Sequence, residues 1–355
     1  MKIVYDNIIF AAQKGGGGIS VVWGELLRRA LRDGLDLSFI EFAPMENAVR
    51  ASLPIPAERT RTVPACLRKV FKYLPVRYPC KEPFIFHSSF FRTCSNPRAV
   101  NVTTVHDFTN ELFQTGPGPR KERWIKRNAI LHSDYVICIS DNTRRDFFRF
   151  FPDFPENRVR VICNGVADDF HPLDDCGAIP FPKGSYLLFV GARNGYKHFD
   201  ILPEVIRRSG MNLVCTGNPL SPDESEWLGD VKARCHCAGH VSTGELNRLY
   251  NGAFALVYPS AYEGFGLPVI EAQRAGCPVI ACKASSIPEI IGDPTLLMDS
   301  PAADAVLEKI AVLKDPGERE RIIRAGEENA RRFSWEKMYR EIRDLYEEAV
   351  SGGKR

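Results

Sequence analysis

A chain of 355 residues, 44% hydrophobic and 26% charged, has an ordinary globular composition and the length for two domains, each with its own core. Nothing in it is disordered or fibrous in kind, and no apolar run approaches the roughly 20 residues that cross a bilayer. The net charge is only +3, and no nucleic-acid recognition motif accompanies the basic residues, which argues against a nucleic-acid partner.

The start, MKIVYDNIIF, is a strand pattern running into glycines. It lacks the h-region and cleavage site of a signal peptide, so a cytoplasmic location is expected. Strand patterns follow at KIVYDN, LDLSFIEF, PFIFHSS, VNVTTVHD, DYVICIS and VRVICNG. Helices are expected between several of them, including Ile19–Arg32 and Arg120–His132. Gly15-Gly16-Gly17-Gly18 lies between the first strand and the first helix. Such a loop leaves backbone N–H groups open at a helix N-terminus and makes an anion cradle. A merely flexible loop is the plain alternative. It fits neither G-x-G-x-x-G with its acidic residue nor a Walker A motif. His106-Asp107 ends a strand, where a histidine can bond a sugar hydroxyl or a reacting group. Residues 59–81 carry Arg59, Arg61, Arg68, Lys69, Lys72, Arg77 and Lys81 among apolar and aromatic residues. Arg120, Lys121, Arg123, Lys126 and Arg127 surround Trp124. Both clusters suit an anionic membrane surface or, equally, a solvated face.

A Pro-, Gly- and Asp-rich break at 167–184 reads as a linker. A second series of strand patterns then runs SYLLFVGA, NLVCTG, CHCAGHV, FALVYPS, CPVIACKAS and TLLMD. Strands alternating with amphipathic stretches predict an α/β chain of two doubly wound, Rossmann-like domains, with the crevice between them as the default ligand site. From Ser334 to Val350 the pattern is helical, with Met338, Ile342, Leu345, Tyr346 and Ala349 on one face. The eleven cysteines include no C-x-x-C and read as reduced thiols. Cys235-His236-Cys237 has no second half and is not read as a zinc site.

Glu263-Gly264-Phe265-Gly266-Leu267-Pro268-Val269-Ile270-Glu271 follows an apolar strand. Glu263 is expected on the strand-to-helix loop and Glu271 one turn into the helix, with Pro268 in its first turn. Open amides form an anion site there, and the two carboxylates accept hydrogen bonds from hydroxyls. A sugar carrying phosphate meets both demands; a tight turn with two surface glutamates is the plain alternative. Arg193 and Lys197 follow the strand SYLLFV, at the end where two cations can bind a diphosphate and the charge it develops on leaving.

Taken together, these residues resemble the retaining family-4 glycosyltransferases of the GT-B fold, nearly end to end. The E-x7-E block within YPSAYEGFGLPVIEAQRAGCPVIA is the most specific part. CISDNTRRD, VICNGVADDF and the closing FSWEKMYREI occupy their usual places. The resemblance implies domains at 1–166 (acceptor-binding) and 185–333 (nucleotide-sugar-binding), a linker at 167–184, and a helix at 334–355 crossing back onto the first domain. It implies that Glu263 contacts the transferred sugar and Glu271 the ribose, that Arg193 and Lys197 bind the diphosphate, and that Gly264, Phe265, Gly266 and Leu267 touch sugar and phosphate. His106 would face the reacting sugar. Gly16, Gly17 and Gly18 would cradle the donor, and Gly217, His240 and Val241 would line the nucleotide pocket. The Arg–Lys spacing is shorter than in many members, which changes the expected approach of Lys197. The resemblance implies retention by attack from the leaving-group face. No metal is expected, since no strand ends in Asp-x-Asp, and no cofactor beyond the nucleotide-sugar substrate. The details FHSSFFR, VHDF and AYEGFGLPVIEAQRAG are most similar to bacterial surface-polysaccharide enzymes, including those of lipopolysaccharide O-antigen, many using GDP-mannose. A mannosyl donor and a glycan or lipid-linked glycan acceptor are expected; UDP-glucose, UDP-N-acetylhexosamine and deoxysugar donors stay open. A non-hydrolysing nucleotide-sugar epimerase and a non-catalytic GT-B subunit are the competing readings.

Overall fold

The computed structural model describes residues 1–13, 17–193 and 195–352. They divide into two compact units: Met1–Gly165 with the C-terminal segment from Trp335, and Val166–Ser334.

The first unit is built on seven strands rather than the six expected: β1 (Lys2–Asp6), β2 (Asp36–Ala43), β3 (Thr60–Pro64), β4 (Phe84–Ser88), β5 (Ala99–Val105), β6 (Tyr135–Cys138) and β7 (Val159–Val161). All pair in parallel, in the order β3-β2-β1-β4-β5-β6-β7. The additional strand, β3, lies inside the basic stretch. Its residues are exposed or half-buried because it is an edge strand with one neighbour, where charge and proline are tolerated. A short helix, Ile8–Ala12, also stands before the glycines. The strand pattern of MKIVYDNIIF therefore stops at Asp6.

The C-terminal helix, Trp335–Ser351, belongs to this unit. It buries the five predicted residues together with Trp335 and Tyr339 and packs on the Gly18–Arg32 helix and β4. Glu336 holds Arg32 at 3.0 Å, and the Tyr339 hydroxyl donates to Asp33 at 2.8 Å.

The second unit has the six expected strands: β8 (Tyr186–Phe189), β9 (Asn212–Cys215), β10 (Cys235–Cys237), β11 (Ala255–Tyr258), β12 (Val279–Cys282) and β13 (Leu297–Met298). They form a parallel sheet in the order β10-β9-β8-β11-β12-β13. Leu187, Phe189, Leu213, Val257 and Ile280 lie in its core with at most 1% exposure. Residues 167–184 are no free linker. The N–H groups of His171 and Leu173 bond the Asn247 and Asn251 side chains at 3.2 and 2.7 Å, and Phe170 packs edge-on against Tyr250. Burial of Phe170 and Cys176 outweighs the flexibility that the Pro-Gly composition suggested.

In both sheets the chain reverses its direction of travel once, between β1 and β4 and between β8 and β11. Loops at the carboxyl ends of such strands diverge and leave room for a ligand. No helix among the described residues is long and apolar enough to cross a membrane.

Candidate active site

Lys197 follows β8 and Glu263 follows β11, the two strands at the reversal of the second sheet. Their side chains meet: Lys197 Nζ lies 2.7 Å from Glu263 Oε1, with 12% and 13% of the side chains exposed. The main chains are joined beside them, Ala261 N–H donating to the Tyr196 carbonyl at 2.8 Å. Tyr258, at the end of β11, puts its ring 5.4 Å from Lys197 Nζ. Burial, then the Glu263 carboxylate, drive its hydroxyl well above the ordinary tyrosine range.

The loop carrying Glu263 is held from behind. Its N–H donates to Ser285 Oγ at 2.7 Å, and Ser286 Oγ donates toward the carbonyls of Glu263 and Phe265 at 2.9 and 2.8 Å. Phe265 is buried edge-on against Phe333, ring centres 5.6 Å apart. Gly266 caps the Leu267–Arg274 helix at φ 106°, and a Cβ there would come within 2.9 Å of Ile287. Glycine is thus favoured by conformation, and a Cβ would also push the buried Ile287 side chain aside. Pro268 sits in the first turn, so Gly264, Phe265, Gly266 and Leu267 lead into a helix N-terminus, as expected. Glu271 follows one turn in. The Tyr250 hydroxyl donates to it at 3.0 Å, and burial pushes its carboxyl from 4.5 up to about 7.

Arg193 departs from the picture of an open cation. Its side chain is 5% exposed and bonds Glu224 through Nε at 2.7 Å and Nη2 at 3.2 Å. Nη1 donates to the Thr216 carbonyl, and Nη2 also to those of Asn218 and Pro219, at 2.7 to 3.1 Å. The guanidinium thereby clasps the loop after β9. Within it Gly217 stands at φ 101°, its N–H bonded to the Gly239 carbonyl at 2.8 Å. Exposed His240 meets Asn218 at 3.0 Å, and Val241 beside it is half-buried. The ends of β8, β9 and β10 are stitched together in this way.

In the first unit, Gly17 and Gly18 begin the Gly18–Arg32 helix after β1, Gly17 as its extended cap. Gly16 lies outside the described residues. His106 follows β5 and lines a cavity of about 20 Å³, room for a water molecule, with His87, Ser89 and Asn164. Asn164 Oδ1 is buried there without a hydrogen-bond partner. Burial lowers His106 to about 4, against the pull of Asp107, and lowers His87 to about 3. Both rings are therefore neutral at physiological pH and can donate and accept at once. His87 uses both nitrogens, toward the Tyr346 hydroxyl at 2.5 Å and Thr104 Oγ1 at 2.9 Å.

The sequence singles out none of Tyr250, Ser285, Ser286 and Glu224, which share no motif with the residues they support; only the convergence of strand ends brings them together. Tyr258 opens the E-x7-E block, but its place beside Lys197 is visible only in the fold. No group of three or more His, Cys, Asp or Glu among the described residues could hold a metal ion, so Cys235 and Cys237 on β10 form no such cluster. Asp168 pairs with Arg274.

Residues 16–170 match the family described as Glycosyltransferase Family 4, and residues 179–329 match Glycosyl transferases group 1. This chain belongs to the family-4-type GT-B glycosyltransferases. It is 28% identical over 279 residues to O-antigen chain mannosyltransferase B of Escherichia coli, covering 72% of each chain. To alpha-maltose-1-phosphate synthase of Mycobacterium tuberculosis it is 25% identical over 262 residues, 66% of this chain and 68% of the relative. Among solved structures, Alr3699/HepE of Anabaena in complex with UDP-glucose superposes with a TM-score of 0.73 at 15% identity, over 97% of this chain and 98% of that one. The glycosyltransferase is accordingly a hexosyltransferase.

Proposed function

We propose that this hexosyltransferase moves a mannosyl-type hexose from a nucleotide-sugar to a glycan or lipid-linked glycan in bacterial surface-polysaccharide synthesis, with retention and without a metal. The observation that carries the reading is the Lys197–Glu263 pair at the reversal of the second sheet, ahead of a helix that carries Glu271 one turn in. A cation, a helix N-terminus and two carboxylates together complement a diphosphate joined to two polyhydroxyl rings.

In this reading Lys197, Arg193 and the amides of Gly264, Phe265 and Gly266 stabilise the departing nucleoside diphosphate. Glu263 accepts from sugar hydroxyls and Glu271 from the ribose. Gly217, His240 and Val241 border the base, with Leu267 beside the phosphates. Neutral His106, following β5, can donate to or accept from a substrate hydroxyl. The acceptor attacks from the face the phosphate leaves, and a phosphate oxygen takes its proton. The mannosyl preference is supported by the E. coli relative and the nucleotide-sugar donor by the UDP-glucose bound to the Anabaena protein.

A cytoplasmic site of action at the inner membrane face is part of the proposal. Its support is that the two basic-aromatic clusters form one patch: the Tyr73 and Trp124 rings lie 6.2 Å apart, with Val70 and Trp124 exposed by 57% and 55%.

The test is a thermal-shift screen against GDP, UDP, dTDP and ADP and their sugar conjugates, with EDTA present. A shift with one nucleotide despite EDTA supports the donor site; transfer assays with that sugar and lipid-linked glycans then follow. No shift with any nucleotide overturns the reading in favour of a non-catalytic subunit. Isomerised sugar and free nucleotide without an acceptor would point to an epimerase.

A further inference from the structure

A cavity of about 360 Å³ opens in the first unit, at the small end of the range for small-molecule sites. Strands β2 and β3, the segment after β3 and Arg92 after β4 enclose it. Its lining is amphipathic: Val63, Phe71 and Leu74 provide apolar wall, and Arg61, Arg77 and Arg92 provide cations. Residues 59–81 contribute no acidic side chain. Arg61 Nη1 donates to the Arg77 carbonyl at 2.9 Å, which holds these two exposed residues side by side. Arg92 is different. Its side chain is 4% exposed and holds Asp6 at 2.9 Å through Nη1, while its buried Nε has no hydrogen-bond partner. Asp6 ends β1 and Arg92 follows β4, the strands at which the first sheet reverses. Among the described residues, one carboxylate, Asp6, is in contact and offsets one of the three guanidinium groups.

Two exposed guanidinium groups with no carboxylate on them, beside Arg92, call for an anion with several acceptor oxygens. A free inorganic ion would leave the apolar wall unused. That wall continues outward through Leu74, Val70 and Leu67, exposed by 48%, 57% and 39%. We propose that this cavity binds a phosphorylated lipid, with the phosphate on Arg61, Arg77 and Arg92 and the first methylenes along Val63, Phe71 and Leu74. The proposal rests on the reading that the acceptor is borne on a lipid, and it names the part of the molecule that grips the lipid.

The experiment is a titration of the full chain with a short-chain phosphatidic acid below its micelle concentration, and separately with inorganic phosphate. The Arg61→Gln/Arg77→Gln double variant serves as comparison; both side chains are exposed, and parental melting confirms its fold. The parent is expected to bind the lipid phosphate at least about tenfold more tightly than inorganic phosphate, and the double variant to lose about tenfold or more. Equal affinity for the two probes would reduce the cavity to an anion site and overturn the lipid assignment. Undiminished lipid binding by the double variant would overturn the location. Nucleotide-induced stabilisation is measured on the same samples. If it is absent from the parent while lipid phosphate still binds, the donor reading fails and the cavity assignment stands.

Discussion

Arg193 and Lys197 share one short loop, yet their surroundings give them different work. Lys197 pairs with the Glu263 carboxylate and lies over the Tyr258 ring, whereas Arg193 is bonded by Glu224 and three loop carbonyls. Lys197→Ala is expected to lower the rate by roughly 10²–10³, as losing an oxyanion donor does. Arg193→Ala is expected to lower stability as well, by about 3–5 kcal/mol, because it strands the partly buried Glu224 and unties the loop after β9. Steady-state kinetics paired with denaturant unfolding separates the two. Near-full activity of Lys197→Ala, or an unchanged unfolding midpoint for Arg193→Ala, would contradict these assignments. The sequence shows both cations at a strand end but not that Arg193 is clasped, since Glu224 comes from a distant helix.

Among the elements, the C-terminal helix was the most legible. Apolar residues at helical spacing predicted its buried face, and all five predicted positions are buried. What the pattern could not show is that Tyr346 ends against His87 on β4. Tyr346→Phe keeps the ring and leaves a buried nitrogen unpaired, so a loss of about 1–3 kcal/mol is expected. Ile342→Ala opens a cavity in the same face, with an expected cost of about 2–5 kcal/mol. Chemical denaturation of the first unit measures both; values near zero would mean that the helix adds little to that core. The Ile8–Ala12 helix and β3 were illegible for opposite reasons. The run IIFAA is apolar throughout and has no period to read. TRTVP is charged because an edge strand can be, and so it resembles a loop.

At the scale of the whole molecule, the two units carry opposite proton linkages. His87 and His106 have folded values near 3 and 4, below the ordinary 6.5. The unfolded chain therefore binds more protons on acidification, and the stability they confer above pH 6.5 is lost as pH falls toward those values. The slope is at most about 1.4 kcal/mol per pH unit per histidine. Glu271 runs the other way. Its folded value near 7 exceeds 4.5, so its contribution is present below pH 4.5 and is lost as pH rises through 7. Between pH 5 and 6.5, rising pH is expected to stabilise the first unit and to weaken the second through Glu271. Scanning calorimetry across this range should show the two transitions shifting in opposite directions, with Glu271→Gln flattening the second. A common direction, unaltered in the variant, would refute the linkage.

The sequence by itself determined the two parallel sheets, the strand-to-helix loop at Glu263–Glu271 and the family, because these are written in short-range patterns: apolar strand runs, a glycine where φ must be positive, a proline in a first helical turn. Tertiary structure alone decided which side chains oppose one another. The Lys197–Glu263 pair, the Tyr250 hydroxyl on Glu271, the Glu224 clasp on Arg193 and the arginine-lined cavity each join residues tens of positions apart. Parallel strands bring their carboxyl ends together only after every crossover has been made, so no local pattern records those meetings.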